Sequence, residues 1–523
     1  MSEYKSVVGK KLIEILMFSM YPDAKIIFRE YIQNARDAIK DAVDTGVLNQ
    51  LNEGHIIVNI DSNQNRITIT DNGIGVSVKE VEPVLLNIAD STKDGETSAG
   101  QFGIGRLVGG GYCKKLSFMT SYKGEKYASE IVFDINAARA ILDDDTDRRS
   151  AAEVIDTIST RELHEENENE HYFIVTLDNV RSEYPELLNS KVITDYLKEV
   201  APIDYQFVFK NNLILTGDSK DFMQLHKNVG FFQLTVNEEI DIRKSYGLKI
   251  DGTNDRIDHL EYFKIEDDYF GLLAWGWFAL TEFSQAIPDS DNNRGFRLRK
   301  HNILIGDKNY LNQFHKEPRG NKYFYGEIHA VHSKLKPNSA RDGLSPTPEA
   351  MCFQSLIKEK FYYLYQLYHF ASQMKTAARD FVIAKAEITQ VPEFAIVPEV
   401  KQKWETAQKK LENTSNNTKA QTEAGHKVVE IYKKKLDDII KNPPNPIQTG
   451  KQKNDVIVAE EPFVSAAPKQ LLDKFEVLKF KYPDSEVAII RRAFKLLRDN
   501  CPSSQTKLID ELITKVIKDL GRK

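Results

Sequence analysis

A short alternating run that ends in an acid constrains the fold of this chain more than any other feature. Residues 66–75 have the sequence RITITDNGIG, in which Ile67, Ile69 and Asp71 occupy every second position. Alternation of this kind predicts a β-strand with one face toward a core. The same face then directs Asp71 inward, where an ionised carboxylate is costly unless it accepts hydrogen bonds. The fold must therefore supply a donor at the end of this strand.

The residues that follow the strand favour two interpretations. Gly73 and Gly75 have no side chain, so the backbone can come close to a flat ring. The exocyclic amine of adenine would be a suitable donor to Asp71. The sequence Asp-Asn-Gly is also ordinary tight-turn chemistry. From this motif alone, a turn and a nucleotide site are equally open.

A predicted helix before this strand carries a stripe of polar residues. In residues 26–40, IIFREYIQNARDAIK, a rotation of about 100° per residue places Glu30, Asn34 and Asp37 on one stripe beside an apolar face. A carboxylate there can orient or deprotonate water, and an amide oxygen one turn away can complete the shell of a phosphate-bound magnesium ion. The alternative is a boundary helix whose polar side chains meet solvent or cap a neighbour.

A glycine-rich segment supplies a third motif, Gly100-Gln101-Phe102-Gly103-Ile104-Gly105. Closely spaced glycines that lead into a helix offer free backbone N–H groups and a positive helix end, which can hold phosphates without a dedicated lysine. The segment lacks the Lys-Ser/Thr ending of a P-loop and is not placed like a Rossmann fingerprint. The preceding residues 87–99, which include Lys93, are predicted to form a mobile lid.

Composition limits the class of protein. The chain has 523 residues, of which 41% are hydrophobic and 28% charged, which is typical of a soluble protein with more than one core. No apolar run could span a bilayer and no signal-peptide cleavage site is present, so a cytoplasmic location without a membrane partner is expected. Three scattered cysteines argue against a disulfide framework or zinc site. A net charge of -6 neither supports nor excludes nucleic acid.

The periodicity of the sequence divides the chain into five predicted parts: an α/β unit at 1–200, a second mixed unit at 201–390, a charged helical arm at 391–442, a linker at 443–467 and a small helical domain at 468–523. Strands are predicted in the first unit at 55–61, 66–71, 115–122, 127–133 and 172–177. They are predicted in the second at 206–210, 271–279, 297–305 and 326–331, before a long helix from residue 348 to about 386.

The order of these motifs resembles the GHKL superfamily, which joins type II topoisomerase ATPase subunits, ninety-kilodalton heat-shock chaperones, histidine kinases and mismatch-repair ATPases. The match is best to the heat-shock chaperones, because residues 28–38 (FREYIQNARDA) and 100–105 (GQFGIG) follow their pattern. The resemblance implies an α+β chain with a Bergerat-fold α/β sandwich, a second α/β domain of the ribosomal-S-five-like type and a helical C-terminal region. The sequence departs from the pattern at Asp41, where a lysine is expected, and at His171-Tyr172, which replace Gly-Thr.

The resemblance also implies a role for each matching residue. Glu30 would be the general base for an attacking water, and Asn34 would bind Mg²⁺. ATP would be bound by Asn34 together with Asp37, Asp71, Gly73, Gly75, Lys93, Gly100, Phe102, Gly103, Ile104 and Gly105. Within this set, Asp71 would contact adenine, and residues 103–105 would contact the phosphates.

A resemblance in the second unit nominates a further catalytic residue. Residues 323–331 (YFYGEIHAV) and 335–342 (LKPNSARD) are similar to the middle domain of the heat-shock chaperones, where a loop supplies an arginine to the γ-phosphate. That position is Arg341. A guanidinium can neutralise charge on a transferred phosphoryl group once two domains close. The alternative is a surface arginine paired with Asp342.

The function implied by the resemblance is an ATP-gated clamp. It would bind and hydrolyse ATP with Mg²⁺, release ADP, form a homodimer and act on a protein client that the sequence does not identify. Two alternatives stay open: a GHKL ATPase of a DNA-management or antiviral defence system, and a nucleotide-sensing interaction protein with little hydrolysis.

Overall fold

The computed structural model describes residues 8–19, 23–87, 105–214, 220–237, 241–257, 259–390 and 397–441. All of them belong to the first of the two units into which the chain divides, residues 1–449. Several predictions lie outside the described residues: the lid with Lys93, the glycine-rich residues Gly100, Phe102, Gly103 and Ile104, the linker, and the C-terminal helical domain.

Seven strands form the first sheet: β1 His55–Asp61, β2 Arg66–Asp71, β3 Lys115–Ser121, β4 Tyr127–Asp134, β5 Ser159–Glu165, β6 Tyr172–Asp178 and β7 Gln233–Val236. Their order is β5-β4-β3-β6-β2-β1-β7. Neighbouring strands are antiparallel except β1 and β7, which are parallel. The strands predicted before residue 200 are confirmed, whereas β5 and β7 were not predicted.

Five strands form the second sheet: β8 His259–Asp267, β9 Gly271–Leu280, β10 Gly295–Lys300, β11 Ile303–Ile305 and β12 Tyr325–Ala330. Their order is β11-β10-β12-β9-β8, and only the β10–β12 pair is parallel. The single strand predicted at 297–305 is therefore two strands. The turn between them, His301-Asn302, has φ of 51° and 64°, a left-handed conformation that suits a tight hairpin and that asparagine and histidine tolerate.

The α-helices of the described residues are α1 Lys11–Glu14, α2 Ile26–Asp44, α3 Val81–Leu86, α4 Ile135–Asp143, α5 Ala151–Ile158, α6 Ser190–Val200, α7 Phe207–Phe209, α8 Lys220–Lys227, α9 Pro348–Gln390, α10 Pro398–Ser415 and α11 Glu423–Lys441. Short π-helices lie at Ile15–Ser19 and Lys210–Ile214. Short 3-10 helices lie at Leu51–Glu53, Gly105–Tyr112, Pro185–Leu188, Tyr310–Phe314, Pro318–Tyr323 and Thr418–Gln421. Helices and sheets thus combine in an α+β arrangement.

The strand predicted at 206–210 is wrong, because these residues begin a short helix. Phe209 is fully buried there and stacks on Tyr205 and Tyr246, with ring centroids 5.6 and 5.4 Å away. Its ring also lies 5.5 Å from that of Trp277 on β9. Packing against partners that are distant in sequence has outweighed the local preference of an aromatic, β-branched run for a strand.

The long helix predicted from residue 348 is confirmed as α9, which has 43 residues. One face of α9 is buried with the second sheet and α11 in a common core that includes Phe353, Phe361, Phe296 and Tyr432. Burying each such side chain contributes roughly 1.5–3 kcal/mol. None of the helices in the described parts of the chain is long and apolar enough to cross a membrane.

Helix α2 packs on the first sheet and presents the predicted polar stripe to its edge. Phe28 and Ile32 of α2 belong to the same core as Val58, Ile69 and Val175 from three neighbouring strands. Because β2 lies in the middle of this sheet, its alternate residues are buried as predicted. The strand therefore ends beside α2 with the carboxylate of Asp71 directed inward.

The β10–β11 hairpin ties the second sheet to the end of α6. Arg299 donates from Nη2 to the backbone oxygen of Glu199 at 2.8 Å, and Arg297 Nε lies 3.1 Å from the carboxylate of the same residue. A cation at the last turn of a helix satisfies free carbonyl groups and the helix dipole. Leu304 of β11 also belongs to the core of the first sheet. These contacts fix where the second sheet, and the loop after β12, lie relative to α2.

Candidate functional site

The two predicted catalytic residues meet at the candidate site. Arg341, in the loop after β12, reaches across to α2, where its Nε lies 2.7 Å from Oε1 of Glu30. Arg341 is 7% exposed and Glu30 is 5% exposed, so this ion pair is buried. Arg341 is therefore not the surface arginine that the sequence left open as an alternative. The carboxylate of Asp342 accepts a hydrogen bond from the Asn338 side chain at 2.6 Å.

A second buried guanidinium, which the sequence reasoning missed, flanks Glu30. Arg29 is 6% exposed, and its Nε lies 3.9 Å from Glu30 Oε1. Among the described residues, Nε and Nη2 of Arg29 have no hydrogen-bond partner. Buried donors of this kind are costly unless an acceptor reaches them. Two cations beside one carboxylate make this end of α2 suited to an anionic ligand such as a phosphate group.

The two predicted pocket acids are also buried, and each has a donor. Asp71 is 4% exposed and accepts the N–H of Gly73 at 2.8 Å. Asp37 is 2% exposed and accepts a hydrogen bond from Arg36 Nη1 at 2.7 Å. This bond confirms the turn interpretation of Asp-Asn-Gly, and the nucleotide interpretation stays a prediction. Arg36 was not predicted, because nothing in the helical pattern distinguishes it from a solvent-facing residue.

Three glycines of the predicted site lie where a side chain would collide. A Cβ on Gly73 would lie 2.6 Å from Asp71 Oδ1, and a Cβ on Gly75, whose φ is +71°, would lie 1.9 Å from the backbone oxygen of Ser121. A Cβ on Gly105 would lie 2.8 Å from Glu30 Oε2. The backbone at these positions is therefore packed closely against the two acids and β3, as a site built for backbone contacts requires.

The turn after β2 is held by two residues, Thr120 and His171, that were not predicted to belong to the site. The Thr120 hydroxyl accepts the N–H of Val76 at 2.9 Å and donates to the backbone oxygen of Tyr172 at 3.0 Å. A ring nitrogen of His171 lies 2.9 Å from the carbonyl oxygen of Gly73. His171 stands at one of the departures from the chaperone pattern, so this contact is a local feature of this chain.

Tyr31 fixes the start of the segment after the glycine-rich motif. Its hydroxyl donates to the carbonyl oxygen of Arg106 at 2.9 Å and accepts the N–H of Gly109 at 3.0 Å. Burial raises the pKa of Tyr31, so the hydroxyl keeps its proton. The segment Gly105–Tyr112 is a 3-10 helix rather than the expected α-helix start. The sequence reasoning placed Tyr31 in the apolar face of α2 and missed this contact, which joins residues 78 apart in sequence.

The donors around Glu30 fit a magnesium nucleotide. Asn34 lies one turn after Glu30 on α2 and is half-buried. Carboxylate and amide oxygens suit Mg²⁺, a hard cation, better than a soft metal. The close backbone at Gly105 and the free donors of Arg29 fit phosphate.

Comparison with known proteins agrees with this geometry. Residues 25–166 match the family model described as histidine kinase-, DNA gyrase B- and HSP90-like ATPase. The chaperone protein HtpG of Fusobacterium nucleatum is 31% identical over 141 residues, which are 23% of this chain and 23% of that protein. HtpG of Clostridium acetobutylicum is 33% identical over 112 residues, 18% of each chain. HtpG of Vesicomyosocius okutanii is 34% identical over 142 residues, 23% of each chain.

The similarity is confined to the N-terminal part, and this chain spans less than a quarter of the length of the relatives it matches. Within that part, the family model includes α2, β2 and the segment Gly105–Tyr112, which build the site described above. Residues 25–166 therefore match a GHKL ATPase domain, of the family described as histidine kinase-, DNA gyrase B- and HSP90-like ATPase.

Proposed function

We propose that this protein binds ATP with Mg²⁺ and hydrolyses it at a site built jointly by α2 and the loop after β12. The observation that carries the proposal is the buried contact between Glu30 and Arg341, 2.7 Å apart. A general base and a phosphate-binding arginine must both lie within reach of one γ-phosphate. The fold brings together residues 30 and 341, which are 311 positions apart in the sequence, and this supports the proposal.

Binding would use the buried acids and the close backbone. Asp71 would accept a hydrogen bond from the adenine amine, and Asp37 would line the same pocket. Gly105 would present its backbone to the phosphates, together with Lys93 and the segment from Gly100 to Ile104. Asn34 would bind Mg²⁺, which supplies positive charge that stabilises the phosphates during transfer.

Hydrolysis would use the two charged side chains in separate roles. Glu30 would orient a water and take its proton as the water oxygen bonds to the γ-phosphorus and the bond to the ADP oxygen breaks. Arg341 would neutralise the charge that develops on the transferred phosphoryl group. Arg341 is paired with Glu30 in the structure, so the two groups already lie together in a buried position.

The wider function is proposed from the relatives. Because the matched relatives are named chaperone proteins, we propose that the ATP cycle acts on a protein client. We also propose a homodimer, and a second domain of the ribosomal-S-five-like type formed by the five-stranded sheet. The domain limits at 200, 390, 442 and 467 and the cytoplasmic location stay predictions. A DNA-management or defence role stays the alternative, since the family model also covers DNA gyrase B.

The experiment that tests the proposal separates binding from hydrolysis. Phosphate release from ATP and Mg²⁺ would be measured for the wild type and for Glu30→Gln, together with ATP affinity from a fluorescent-nucleotide competition. Loss of a general base should lower the hydrolysis rate by about a hundredfold or more while ATP affinity stays within a few-fold.

A carboxylate-to-amide change elsewhere provides the control. Glu53→Gln, on a short 3-10 helix of the same domain, alters only exposed contacts to Asn49 and should leave both measurements unchanged. Equal loss of binding and hydrolysis in Glu30→Gln would indicate that Glu30 is structural. Binding without turnover in the wild type would favour a nucleotide-sensing protein, and no binding would refute the proposal.

A further inference from the structure

Arg341 has a backbone conformation that its own residue type disfavours. Its φ is +57°, in the left-handed region that residues with a Cβ rarely adopt. Such a conformation persists only where neighbouring structure determines it. Part of that structure is the loop itself, since Arg341 donates its N–H to Asn338 at 3.0 Å and Asn338 donates its own to Gly343 at 2.9 Å. These contacts shape the loop but do not fix where it lies.

The position of the loop is fixed by Gly306, which directly follows β11. Its N–H donates to the carbonyl oxygen of Arg341 at 2.8 Å. Gly306 has φ of +70°, and a Cβ there would lie 2.7 Å from the Cβ of Tyr310 and 3.0 Å from the backbone oxygen of Asp342. A residue with a side chain would therefore have to push the arginine loop or Tyr310 away.

Tyr310 supports the other side of the same loop. A Cβ built on Gly343 would lie 3.1 Å from the Tyr310 ring, so the two are in close contact. The Tyr310 hydroxyl accepts the N–H of Leu344 at 3.4 Å, a long hydrogen bond. Tyr310 thus holds the backbone two and three residues after Arg341, while Gly306 holds Arg341 itself.

The support is continuous with the first domain. Gly306 follows β11, which pairs with β10, and the β10 residues Arg297 and Arg299 bind Glu199 at the end of α6. The loop that carries Arg341 is therefore attached to the β10–β11 hairpin, and this hairpin is attached to the ATPase domain. A small displacement at Gly306 would move the guanidinium away from Glu30 without altering the α2 end of the pair.

We propose that Gly306 and Tyr310 are positioning residues, which hold Arg341 in the geometry needed for ATP hydrolysis. Neither is expected to touch ATP. The proposal rests on the proposed function, because it assigns these residues a role through Arg341. It predicts that changes at Gly306 act on the rate of the chemical step and leave nucleotide affinity unchanged, since Arg341 is proposed to act on charge that develops during transfer.

The test is Gly306→Ala in the full-length protein, with Gly271→Ala as a matched control. Gly271 begins β9 with a φ of +71°, and a Cβ there would meet nothing within 4 Å. Both variants impose similar backbone strain, and Gly306→Ala adds the contact with Tyr310, so its urea midpoint should fall further than that of Gly271→Ala. Only Gly306→Ala should lower kcat, by about tenfold to a hundredfold, because misplacing a catalytic group by about 1 Å has effects of this size. KM and ATP affinity should stay within about twofold of the wild type.

A double-mutant cycle identifies the route of the effect. In an Arg341→Ala background, Gly306→Ala should cause no further loss of kcat, since the residue being positioned is gone. An equal loss of kcat in both backgrounds, or an equal loss in Gly271→Ala, would overturn the proposal. Loss of kcat in Arg341→Ala without loss in Gly306→Ala would overturn the positioning role alone. Unchanged kcat in Arg341→Ala would overturn the proposed function as well.

Tyr310→Phe provides a second variant if Gly306→Ala does not fold. It removes only the hydroxyl that accepts the Leu344 N–H and keeps the ring. A few-fold loss of kcat with unchanged ATP affinity is expected, again absent in the Arg341→Ala background. Tyr310→Leu, which also removes the ring against Gly343, should lose more. Wild-type kcat in both tyrosine variants would contradict the role of Tyr310.

Discussion

Glu327 binds two buried cations, and its replacement by glutamine should destabilise the fold around the second sheet. The carboxylate is completely buried, with Arg299 Nε 2.7 Å from one oxygen and Lys244 Nζ 2.8 Å from the other. Tyr205 also donates its hydroxyl to this carboxylate. Burial alone would raise the pKa of Glu327, but the guanidinium and the ammonium hold it well below its usual range. Glu327 is therefore ionised, and both cations depend on it.

The expected loss of unfolding free energy depends on whether each cation can release its proton once the Glu327 carboxylate is gone. Arg299 cannot release its proton, so Glu327→Gln leaves it as a buried charge without a carboxylate. Breaking a buried ion pair in this way costs about 3–5 kcal/mol. Lys244 can release its proton, because burial and the nearby Arg299 lower its pKa to about 7. The loss of unfolding free energy should therefore lie near the lower end, about 3 kcal/mol.

The same lysine gives the prediction a pH dependence. The pKa of Lys244 is about 7 in the folded chain and 10.5 for an ordinary lysine. Between these two pH values, Lys244 binds a proton more often in the unfolded chain than in the folded chain. Lys244 therefore makes the folded state more stable as pH rises from about 7 to 10.5. Removing the Glu327 carboxylate lowers the pKa of Lys244 further, so in the variant this rise should begin at a lower pH.

Urea unfolding followed by tryptophan fluorescence would measure the loss of unfolding free energy, because a tryptophan lies beside the Glu327 network. Trp277 is fully buried in the same core and donates its ring N–H to the Tyr205 hydroxyl at 3.2 Å. The control is Glu317→Gln, which weakens the contacts of a half-buried carboxylate with Arg319 and the Tyr368 hydroxyl and should cost much less stability. If Glu327→Gln is no less stable than Glu317→Gln, the buried network does not support the domain and the reasoning is refuted.

The nucleotide pocket and the turn after β2 give two further predictions. Asp71→Asn should weaken ATP binding by about tenfold or more, since an acceptor for the adenine amine is partly replaced by a donor; fluorescent-nucleotide titration would measure this, and unchanged affinity would contradict the adenine contact. Gly75→Ala should fail to accumulate as folded protein, because its Cβ would lie 1.9 Å from the Ser121 backbone oxygen. Gly124→Ala, with φ of +95° and nothing within 4 Å, should fold normally, as circular dichroism would show.

The features that the sequence predicted well are those in which periodicity reports burial directly. Alternation in β2 marks the face that is buried, so the position of Asp71 followed from the sequence without any knowledge of its neighbours. Helical spacing in α2 likewise placed Glu30, Asn34 and Asp37 on one stripe, and the first and last of these are buried. Local geometry was sufficient in both cases.

The features that it missed depend on contacts between distant parts of the chain. β7 joins β1 in parallel, with Val236 opposite Val58, and no local pattern identifies that partner. The role of Arg29 depends on the buried pair that Arg341 makes with Glu30, and the role of Tyr31 depends on a backbone N–H that a later segment supplies. Side chains such as these have the same local pattern as ordinary core or boundary residues of a helix.

The central claim is that α2 and the loop after β12 build one ATP site, and Arg341 tests it most directly. The measurement is kcat for phosphate release at saturating ATP and Mg²⁺ by the wild type, Arg341→Ala, Glu30→Gln and the double variant. Each single change should lower kcat by about a hundredfold or more, and the double variant should be little slower than the slower single variant. A wild-type kcat in Arg341→Ala would contradict the claim, because the buried pair with Glu30 would then have no part in hydrolysis.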